Sequence, residues 1–501
     1  MVMPPGYGAT AHRELGLAIV ERNTGRGKRL PGNRIVRRRV DATQVLTIPE
    51  PRRRAEAPNA SQHAKRFALV FTVLVLLGST LLALPWTTES GHATPPIDAF
   101  FTAVSASAVT GLIVVDTQDH WNFFGELVIL ILIQAGGLGF MVGASLVLAS
   151  LRRGGSLRDS LLLQDGAPTL SLSEATTLSK RILRFIVVTE SVGALVLTLR
   201  FWQDKPFHEA LWHGTFTSIA AFCNAGFDLE GNFISLAGYA ESSWISGTVI
   251  LLIQAGALSY IVLGEVWTKR RWTRLSLDVR LVLTVNAVLL AGGALIFMAL
   301  EWTASMAVID PWARPLTALF QSTTTRTAGF ASVAMGNVQP ATLFLMIGLM
   351  LIGGTAGSTA GGIKLATIGI LGLAVVSTIR GQPDSQAFGR RVSTQLVFRA
   401  LAVTTLFLFA HFILTLALAI SEDVVARKEF GFLPMMFETM SAMATVGLST
   451  GITPEVSTAG KIILCIAMYI GRLGPLTAVY ALQQRQQQAR YRYPEGSVRI
   501  G

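Results

Sequence analysis

Charged residues are scarce in this sequence. They make up 14% of the chain, whereas soluble globular domains carry about a quarter. Hydrophobic residues make up 51%, and they cluster in long runs that give a mean hydropathy of +0.51. This composition excludes a soluble globular fold and predicts a polytopic membrane protein.

Cysteine is almost absent as well. The two cysteines, Cys223 and Cys465, lie in a loop between apolar runs and in a late apolar run. Their number and separation do not indicate a disulfide framework.

Acidic residues are outnumbered, and the excess positive charge is concentrated at one end. Residues 1–66 contain fourteen Lys and Arg against five Asp and Glu, which is +9 of the net charge of +12. This segment is rich in Pro and Gly and has no apolar period, so we expect a disordered basic tail that touches anionic lipid. The charge is therefore not that of a nucleic-acid-binding domain. No signal peptide is expected, because the first long apolar run begins only at residue 67.

The apolar part of the chain is predicted to repeat one unit four times. Each unit has a spanning helix, an apolar segment of about half a bilayer, a loop containing glycine, and a second spanning helix. The predicted boundaries are 1–66 for the tail, 67–151, 152–267, 268–378 and 379–482 for the repeats, and 483–501 for a C-terminal tail. The predicted fold is an all-α membrane protein with eight transmembrane helices and four re-entrant half-helices around one central pore.

Three regularities support the repeat. The sequence Ile-Gln-Ala-Gly occurs in the last predicted helix of both the first and the second unit, ending at Gly136 and Gly256. The loop glycines Gly111, Gly226, Gly329 and Gly447 are 115, 103 and 118 residues apart. Another glycine follows each of them by 24 to 30 residues, at Gly136, Gly256, Gly353 and Gly471.

The four loops are predicted to form one selectivity filter for a monovalent cation. Backbone carbonyls can replace the hydration shell of such an ion, and glycine lets successive carbonyls point the same way. The loops contain neither a ring of carboxylates nor a ring of basic residues, which argues against divalent and anion pores. The predicted filter residues are Thr110, Gly111, Asn224, Ala225, Gly226, Thr327, Ala328, Gly329, Thr445, Val446 and Gly447.

Loop charge predicts the orientation. The linkers between units carry fifteen Lys and Arg, whereas the loops between each first helix and its half-helix carry four. The linkers and both termini are therefore expected on the cytoplasmic side, with the half-helices entering from outside.

The second helix of the third unit, predicted over 341–378, is interrupted by glycines, which disfavour helix by about 1 kcal/mol each. The interruption is predicted to be a gate, and close helix packing is the alternative interpretation. The predicted gate residues are Gly353, Gly354, Thr355, Ala356, Gly357, Ser358, Thr359, Ala360, Gly361, Gly362, Lys364 and the intramembrane Arg472. The corresponding helix of the second unit is predicted to be continuous over 244–267.

Five more polar residues stand out near the apolar runs. Arg326 is expected to brace the pore backbone, and Glu438 to pair with such an arginine. Asp116 and Asp228 follow filter loops and are interpreted as solvated loop acids, with cation attraction as the alternative. His411 is interpreted as a packed side chain.

These motifs resemble the Trk/Ktr/HKT superfamily of potassium transporters and are closest to its KtrB branch. The resemblance covers residues 67–482 and is strongest at the four loops, the segment from Gly353 to Lys364, and the Gly-Arg-Leu-Gly-Pro motif around Arg472. It implies potassium at the filter carbonyls. Two positions depart from the pattern, Cys223 and the pair Met443–Ala444, and both lie behind the filter.

The resemblance also implies an assembly. Members of this branch are homodimers of the plasma (inner) membrane that sit on a cytosolic, octameric KtrA-like ring. The ring binds ATP or ADP, and sodium activates many members. This chain has no GxGxxG motif after a predicted strand, so any nucleotide is expected on the partner subunit. The chain itself is expected to bind no cofactor beyond potassium, with sodium as a further candidate, and no nucleic acid.

The sequence favours a channel-like uptake subunit, which is not an enzyme, over two other functional classes. A sodium- or proton-coupled symporter with alternating access would be expected to use inverted repeats, whereas an even number of helices per unit gives parallel copies. A structural or sensor membrane protein would have no use for four filter-like loops.

Overall fold

The computed structural model describes residues 60–152, 172–382 and 384–484. The tail predicted over 1–66 lies almost entirely outside these residues, as does most of the C-terminal tail predicted over 483–501. The described part is helical, apart from a small hairpin of two strands, Gln386–Ala387 and Arg390–Arg391, which pair antiparallel.

The described chain passes four times through the same order of elements: a leading helix, a short helix, a loop and a returning helix. The leading helices are Ala60–Leu82, Leu172–Phe201, Leu277–Glu301 and Thr394–Ala419. The short helices are Pro96–Ala108, Phe207–Cys223, Arg314–Thr324 and Phe432–Ala444. The returning helices are Phe123–Arg152, Ser243–Ala257 with Ser259–Lys269, Pro340–Met350 with Leu365–Ile379, and Thr458–Gln484.

Minor elements complete the chain. A single helical turn, Thr117–His120, follows the first loop, and a π-helix, Ile420–Val425, extends the fourth leading helix. Short 3-10 helices lie at Pro85–Thr87, Ser235–Tyr239, Trp272–Arg274, Met335–Asn337 and Thr453–Glu455.

Three described helices are long and apolar enough to cross a bilayer: Thr177–Phe201, Leu277–Glu301 and Thr394–Asp423. The pair Ser243–Ala257 and Ser259–Lys269 qualifies as a fourth only when its two bent parts are taken together. Many of their apolar side chains are exposed, such as Leu195, Leu251 and Phe412. Such apolar surface suits a lipid environment.

The prediction for the second returning helix is wrong. It was expected to be continuous over 244–267, but it breaks at Leu258 and bends by 99°. The third returning helix is interrupted between Met350 and Leu365, as predicted.

Each short helix ends at one of the four loops, and these loops contact one another. Two large clusters of buried apolar side chains include residues of the short helices. One comes mainly from the first, third and fourth units, and the other from the first and second units together with Phe320, Ala328 and Phe330 of the third. Buried Ser and Thr side chains lie in the four loops and in the short helices that precede them, among them Ser105, Thr110 and Thr445. The site is thus polar at its centre and apolar around it.

Candidate functional site

All four loops share one backbone conformation. Each loop glycine has a positive φ: 94° at Gly111, 68° at Gly226, 80° at Gly329 and 97° at Gly447. The residue two positions earlier is also left-handed, at Val109, Asn224, Thr327 and Thr445, with φ between 54° and 62°. Three of these four are β-branched, and such residues adopt this conformation only at a cost that the surroundings must offset. Strain repeated at four equivalent places points to a functional site.

The loops touch one another in a closed cycle that follows chain order. A Cβ atom added to each glycine would lie very close to the carbonyl oxygen of the residue that precedes the next loop glycine. The distances are 2.3 Å from Gly111 to Ala225 O, 2.9 Å from Gly226 to Ala328 O, 2.5 Å from Gly329 to Val446 O, and 2.1 Å from Gly447 to Thr110 O. No side chain fits at these four positions. Glycine is therefore required both for its φ and for the close approach of neighbouring loops.

Several oxygen atoms at this ring are buried without a hydrogen-bond partner among the described residues. They are the side-chain oxygens of Thr110, Asn224, Thr327 and Thr445. A buried polar atom without a partner costs about 1–3 kcal/mol. Neutral oxygens of this kind suit a dehydrated monovalent cation, so the residues present fit such an ion as cargo.

Two serines that the sequence analysis missed support the ring. Ser105 accepts a hydrogen bond from Gly111 N at 3.1 Å, and Ser441 accepts one from Gly447 N at 3.1 Å. Each serine lies six residues before its glycine, in the last turns of a short helix. The same six-residue spacing in the first and fourth units was the sequence signal from which this role could have been predicted.

A cavity of about 340 Å³ lies against one side of the ring and is lined by all four loop glycines. Asp116, Asp228 and Glu455 also line it. Asp116 accepts hydrogen bonds from Gln118 N, Asp119 N and Phe233 N. Interpreting it as a solvated acid therefore understates its role, because it ties two loops together.

Asp228 has a perturbed carboxyl group in the same cavity. Its pKa is raised to about 7. Burial is the largest cause, hydrogen bonds from Glu230 N and Ser235 act in the opposite direction, and the negative charges of Asp116 and Glu230 add to the increase. The group therefore changes charge near neutral pH at the opening of the cavity.

The glycines 24 to 30 residues after the loops pack against the short helices. A Cβ on Gly136 would lie 2.0 Å from Ser107 O, and on Gly256 1.9 Å from Phe222 O. A Cβ on Gly471 would lie 1.9 Å from Met443 O. Each carbonyl belongs to the residue four positions before a loop glycine, so the second series of glycines allows the returning helices to lie directly on the short-helix ends.

Gly353 breaks this pattern. Its nearest neighbour is Gly361 O, at 1.9 Å from an added Cβ, rather than a carbonyl of the third short helix. The segment from Gly353 to Lys364, which we call the intramembrane loop, thus folds on itself. Gly353 N donates to Ile363 O at 2.9 Å, and Leu365 N donates to Gly354 O at 3.0 Å.

Two cationic side chains hold the intramembrane loop. Arg472 is 1% exposed and donates to Thr359 O at 2.6 Å and to Gly136 O at 2.9 Å. Lys364 Nζ donates to Ala360 O at 2.6 Å and to Gly361 O at 3.2 Å. Arg472 thus links a carbonyl of the intramembrane loop to a carbonyl of the first returning helix.

The loop lies beside the ring. A Cβ on Gly361 would be 2.1 Å from Thr445 Oγ1, and Thr359 Oγ1 donates to Phe222 O at 3.3 Å. The structure thus brings together the predicted filter and the predicted gate, including Thr355, Ala356, Gly357, Ser358 and Gly362 within the loop.

Arg326 braces the third loop through Asn286. It is 2% exposed and donates to Asn286 Oδ1 at 2.7 Å and Asn286 O at 3.3 Å. Asn286 Nδ2 in turn donates to Gln254 Oε1 at 3.0 Å, and Asn224 Nδ2 donates to Arg326 O at 3.3 Å. The second and third loops are thereby linked to the second returning helix.

The departure at Cys223 has an analogous role in the second loop. Cys223 Sγ donates to Gln134 Oε1 at 3.2 Å, and Gln134 Nε2 donates to Glu190 Oε2 at 2.9 Å. Gln134 and Gln254 come from the repeated Ile-Gln-Ala-Gly sequence. Each links a returning helix to the leading helix of the next unit, a role that the sequence analysis missed.

The expectation for Glu438 is wrong. Its carboxylate accepts hydrogen bonds from Ser449, Thr450 and Thr453, the loop that follows the fourth glycine, rather than from an arginine. Hydroxyl and amide donors near Glu438 satisfy the carboxylate, and Arg326 is already bonded to Asn286. His411 is 6% exposed, in keeping with a packed side chain.

The model of the TrkH family, described as cation transport proteins, matches residues 42–492. The chain belongs to this family. This TrkH-family chain is 36% identical over 434 residues to the potassium/sodium uptake protein NtpJ of Enterococcus hirae, covering 86% of this chain and 95% of that protein. It is 36% identical over 440 residues to the Ktr system potassium uptake protein B of Bacillus subtilis, covering 87% and 96%.

A solved structure shares the TrkH-family fold. The crystal structure of the potassium transporter TrkH from Vibrio parahaemolyticus matches with a TM-score of 0.65 at 19% identity, covering 87% of each chain. At this identity the likeness shows the fold alone. The resemblance stated from the motifs is thus confirmed: the chain is a multi-pass membrane protein of a cation transport family, and it is not an enzyme.

Proposed function

We propose that this protein takes up potassium across the plasma membrane through one pore lined by backbone carbonyls. The single observation that carries the proposal is the closed cycle of four loops, in which the carbonyls of Thr110, Ala225, Ala328 and Val446 meet the four glycines. Four carbonyls with nearby neutral side-chain oxygens supply ligands for a dehydrated monovalent cation and no fixed charge for a divalent one.

The names of the relatives favour potassium as the cargo. NtpJ is a potassium/sodium uptake protein and the Bacillus relative a potassium uptake protein. Sodium therefore enters the proposal as a second ion, either an activator or a weaker cargo.

The proposed architecture is four membrane–pore–membrane units with eight spanning helices and four re-entrant half-helices. The order of long, short and returning helices supports it. Both termini and the basic linkers lie on the cytoplasmic side in this proposal, which rests on the positive-inside rule. The cavity lined by Asp116 and Asp228 is then the external mouth of the pore.

The intramembrane loop is the proposed gate. It lies against the fourth filter loop through Gly361 and Thr445, on the side opposite the external mouth in this architecture. Arg472 and Lys364 bond three of its carbonyls. Such contacts hold the loop in one place, and opening requires that they be exchanged.

The proposed assembly is a homodimer on a cytosolic nucleotide-binding ring. The word "system" in the Bacillus relative's name favours more than one component. In this proposal ATP or ADP binds to the ring and this chain binds only the transported ions.

The test is ion flux through the purified full-length protein in liposomes. The proposal predicts potassium uptake that exceeds sodium uptake, and faster uptake when residues 354–361 are deleted. Equal permeability of the two ions would remove the selectivity claim. Unchanged flux in a folded deletion variant would favour the packing interpretation of the loop.

A further inference from the structure

The break in the second returning helix has a specific geometry. The helix Ser243–Ala257 ends at Leu258, and Ser259 then adopts a left-handed conformation with φ of 60°. The next helix, Ser259–Lys269, departs at 99°. Ser259 is fully buried, and its hydroxyl has no hydrogen-bond partner among the described residues. Nothing in its own side chain therefore explains the strained conformation.

The break exposes carbonyl groups that a continuous helix would use itself. In an unbroken helix, Gly256 O and Ala257 O would accept hydrogen bonds from the N–H groups of Tyr260 and Ile261. The bend carries those N–H groups away. Buried carbonyls need another donor in their place.

The intramembrane loop supplies these donors. Thr355 donates to Ala257 O twice, from its N at 2.9 Å and from its Oγ1 at 3.2 Å. Thr359 N donates to Gly256 O at 3.3 Å. The loop thus occupies the position that the next helical turn would fill if the helix were straight.

We propose that Gly256, Ala257 and Ser259 are positioning residues that form a catch for the intramembrane loop. The bent helix holds the loop, and a straight helix satisfies its own carbonyls and releases the loop. The two arrangements exclude each other because they use the same carbonyls and the same space. This inference rests on the proposed role of the loop as the gate.

The surroundings define which part of the helix moves. The segment before the break is fixed, since Gln254 accepts a hydrogen bond from Asn286 at 3.0 Å and Gly256 lies against Phe222 O. The segment after the break is joined to the next leading helix, because Glu265 accepts hydrogen bonds from Ser276 N and Oγ. A force applied at this junction would therefore reach the loop through Ser259.

Two substitutions at one position test the catch. Ser259→Gly removes the penalty of the left-handed conformation and favours the bent helix. Ser259→Ala keeps that penalty and favours a continuous helix, and alanine is preferred over glycine in helices by about fivefold in equilibrium. With the left-handed preference added, we expect S259A to conduct potassium at least roughly tenfold faster than S259G.

The matched control is the same pair at Ser79, which lies within the unbroken helix Ala60–Leu82. S79A and S79G should leave flux alike. Because Ser259 makes no side-chain hydrogen bond among the described residues, neither substitution there removes one.

A distance measurement gives a second readout that does not depend on flux. Spin labels at Leu251 and Trp267, which are 71% and 78% exposed, would lie roughly 24 Å apart along a straight helix and closer along a bent one. With excess unlabelled protein to dilute contacts between protomers, the distance should lengthen in S259A and when residues 354–361 are deleted.

The outcomes separate this inference from the proposed function. If deletion of the loop raises flux while S259A and S259G conduct alike and the label distance stays fixed, the catch is wrong and the gate stands. If neither the native chain nor any variant passes potassium, the proposed function fails first. Opposite flux changes at Ser259 with a longer distance in S259A would support both.

Discussion

At the scale of single residues, the proposed ion site depends on the four loop glycines. Gly111 has φ of 94° and an added Cβ would lie 2.3 Å from Ala225 O. Any side chain there displaces a carbonyl that the account assigns to the ion. The four glycines are therefore expected to be equally intolerant of substitution.

Replacing Gly111 with Ser should reduce the preference for potassium over sodium. A loss of about 1.4 kcal/mol in ion binding corresponds to roughly tenfold in the permeability ratio. The measurement is the ratio of the two fluxes in liposomes. Gly91→Ser is the matched control, since Gly91 also has a positive φ but nothing lies within 4 Å of an added Cβ. An unaltered ratio in G111S would contradict the role of Gly111.

Asp228 should make uptake depend on external pH. With a pKa raised to about 7 by burial, the carboxyl is neutral below that pH and negative above it. Potassium uptake at limiting external potassium should therefore rise as external pH increases through 7, because a negative mouth concentrates cations. Asp228→Asn should flatten this profile, and Asp204→Asn, outside the cavity, should not. A profile that persists in D228N would exclude Asp228 as its source.

The sequence was sufficient to predict the loop residues but not their supports. Glycine followed by a large apolar residue, four times in matched contexts, is a pattern that can be seen in one sequence. Ser105 and Ser441 look like ordinary helix residues, and only their position against Gly111 N and Gly447 N gives them a role. Glu438 was assigned the wrong partner because its sequence neighbours do not show which loop folds back onto it.

At the scale of elements, the returning helices explain the second series of glycines. Gly136, Gly256 and Gly471 each bring a returning helix onto the last carbonyls of a short helix. Close packing through small residues is common between membrane helices. Here it also sets the position of the loop that follows each short helix.

Gly136→Ala should therefore perturb the filter although it lies 25 residues from Gly111. An added methyl 2.0 Å from Ser107 O forces the helices apart, and overpacking of this kind typically costs about 1–3 kcal/mol. Gly139→Ala in the same helix is the control, because nothing lies within 4 Å of its Cβ. The temperature of thermal unfolding should fall in G136A and should stay unchanged or rise in G139A. The reverse order would contradict the packing.

Arg472→Gln should speed uptake by releasing the intramembrane loop. The change removes the charge-assisted hydrogen bonds to Thr359 O and Gly136 O, each worth about 1.5–3 kcal/mol. The expected effect is several-fold faster potassium flux in liposomes. Arg274→Gln, on an exposed linker, is the control. Slower flux in a folded R472Q protein would count against a gate held by this arginine.

The sequence predicted one broken returning helix and missed the other. Five glycines between Ile352 and Ile363 predict a break in the third returning helix. The second break, at Gly256-Ala-Leu-Ser, has a composition compatible with helix. The intramembrane loop bonds the carbonyls that a continuous helix would use itself, and no local propensity of this segment reports such a tertiary contact.

At the scale of the whole molecule, matched side-chain contacts are present at three of the four junctions between neighbouring units. Gln134 bonds Glu190, Gln254 bonds Asn286, and the corresponding residue of the fourth unit, Tyr469, bonds Thr72 at 3.0 Å. The ion pair of Lys461 with Asp98 at 2.6 Å also joins the last unit to the first. These contacts bring the last unit back to the first, as the cycle of the four loop glycines does at the centre.

The order of elements was predictable because hydrophobic periodicity and length report it directly. The contacts between units were not predictable, since each of them links residues from different units through one side chain. The four-fold cycle of carbonyls depends on those contacts. The central claim of the account is therefore that the four loops form one ion site.

The most direct test is anomalous diffraction from crystals grown with thallium ions, which replace potassium and scatter strongly. If the four loops form one ion site, peaks are expected on their common axis, each in contact with carbonyl oxygens from all four loops, including those of Thr110, Ala225, Ala328 and Val446. Peaks confined to the acidic mouth, or an ion contacting one loop alone, would contradict a shared filter.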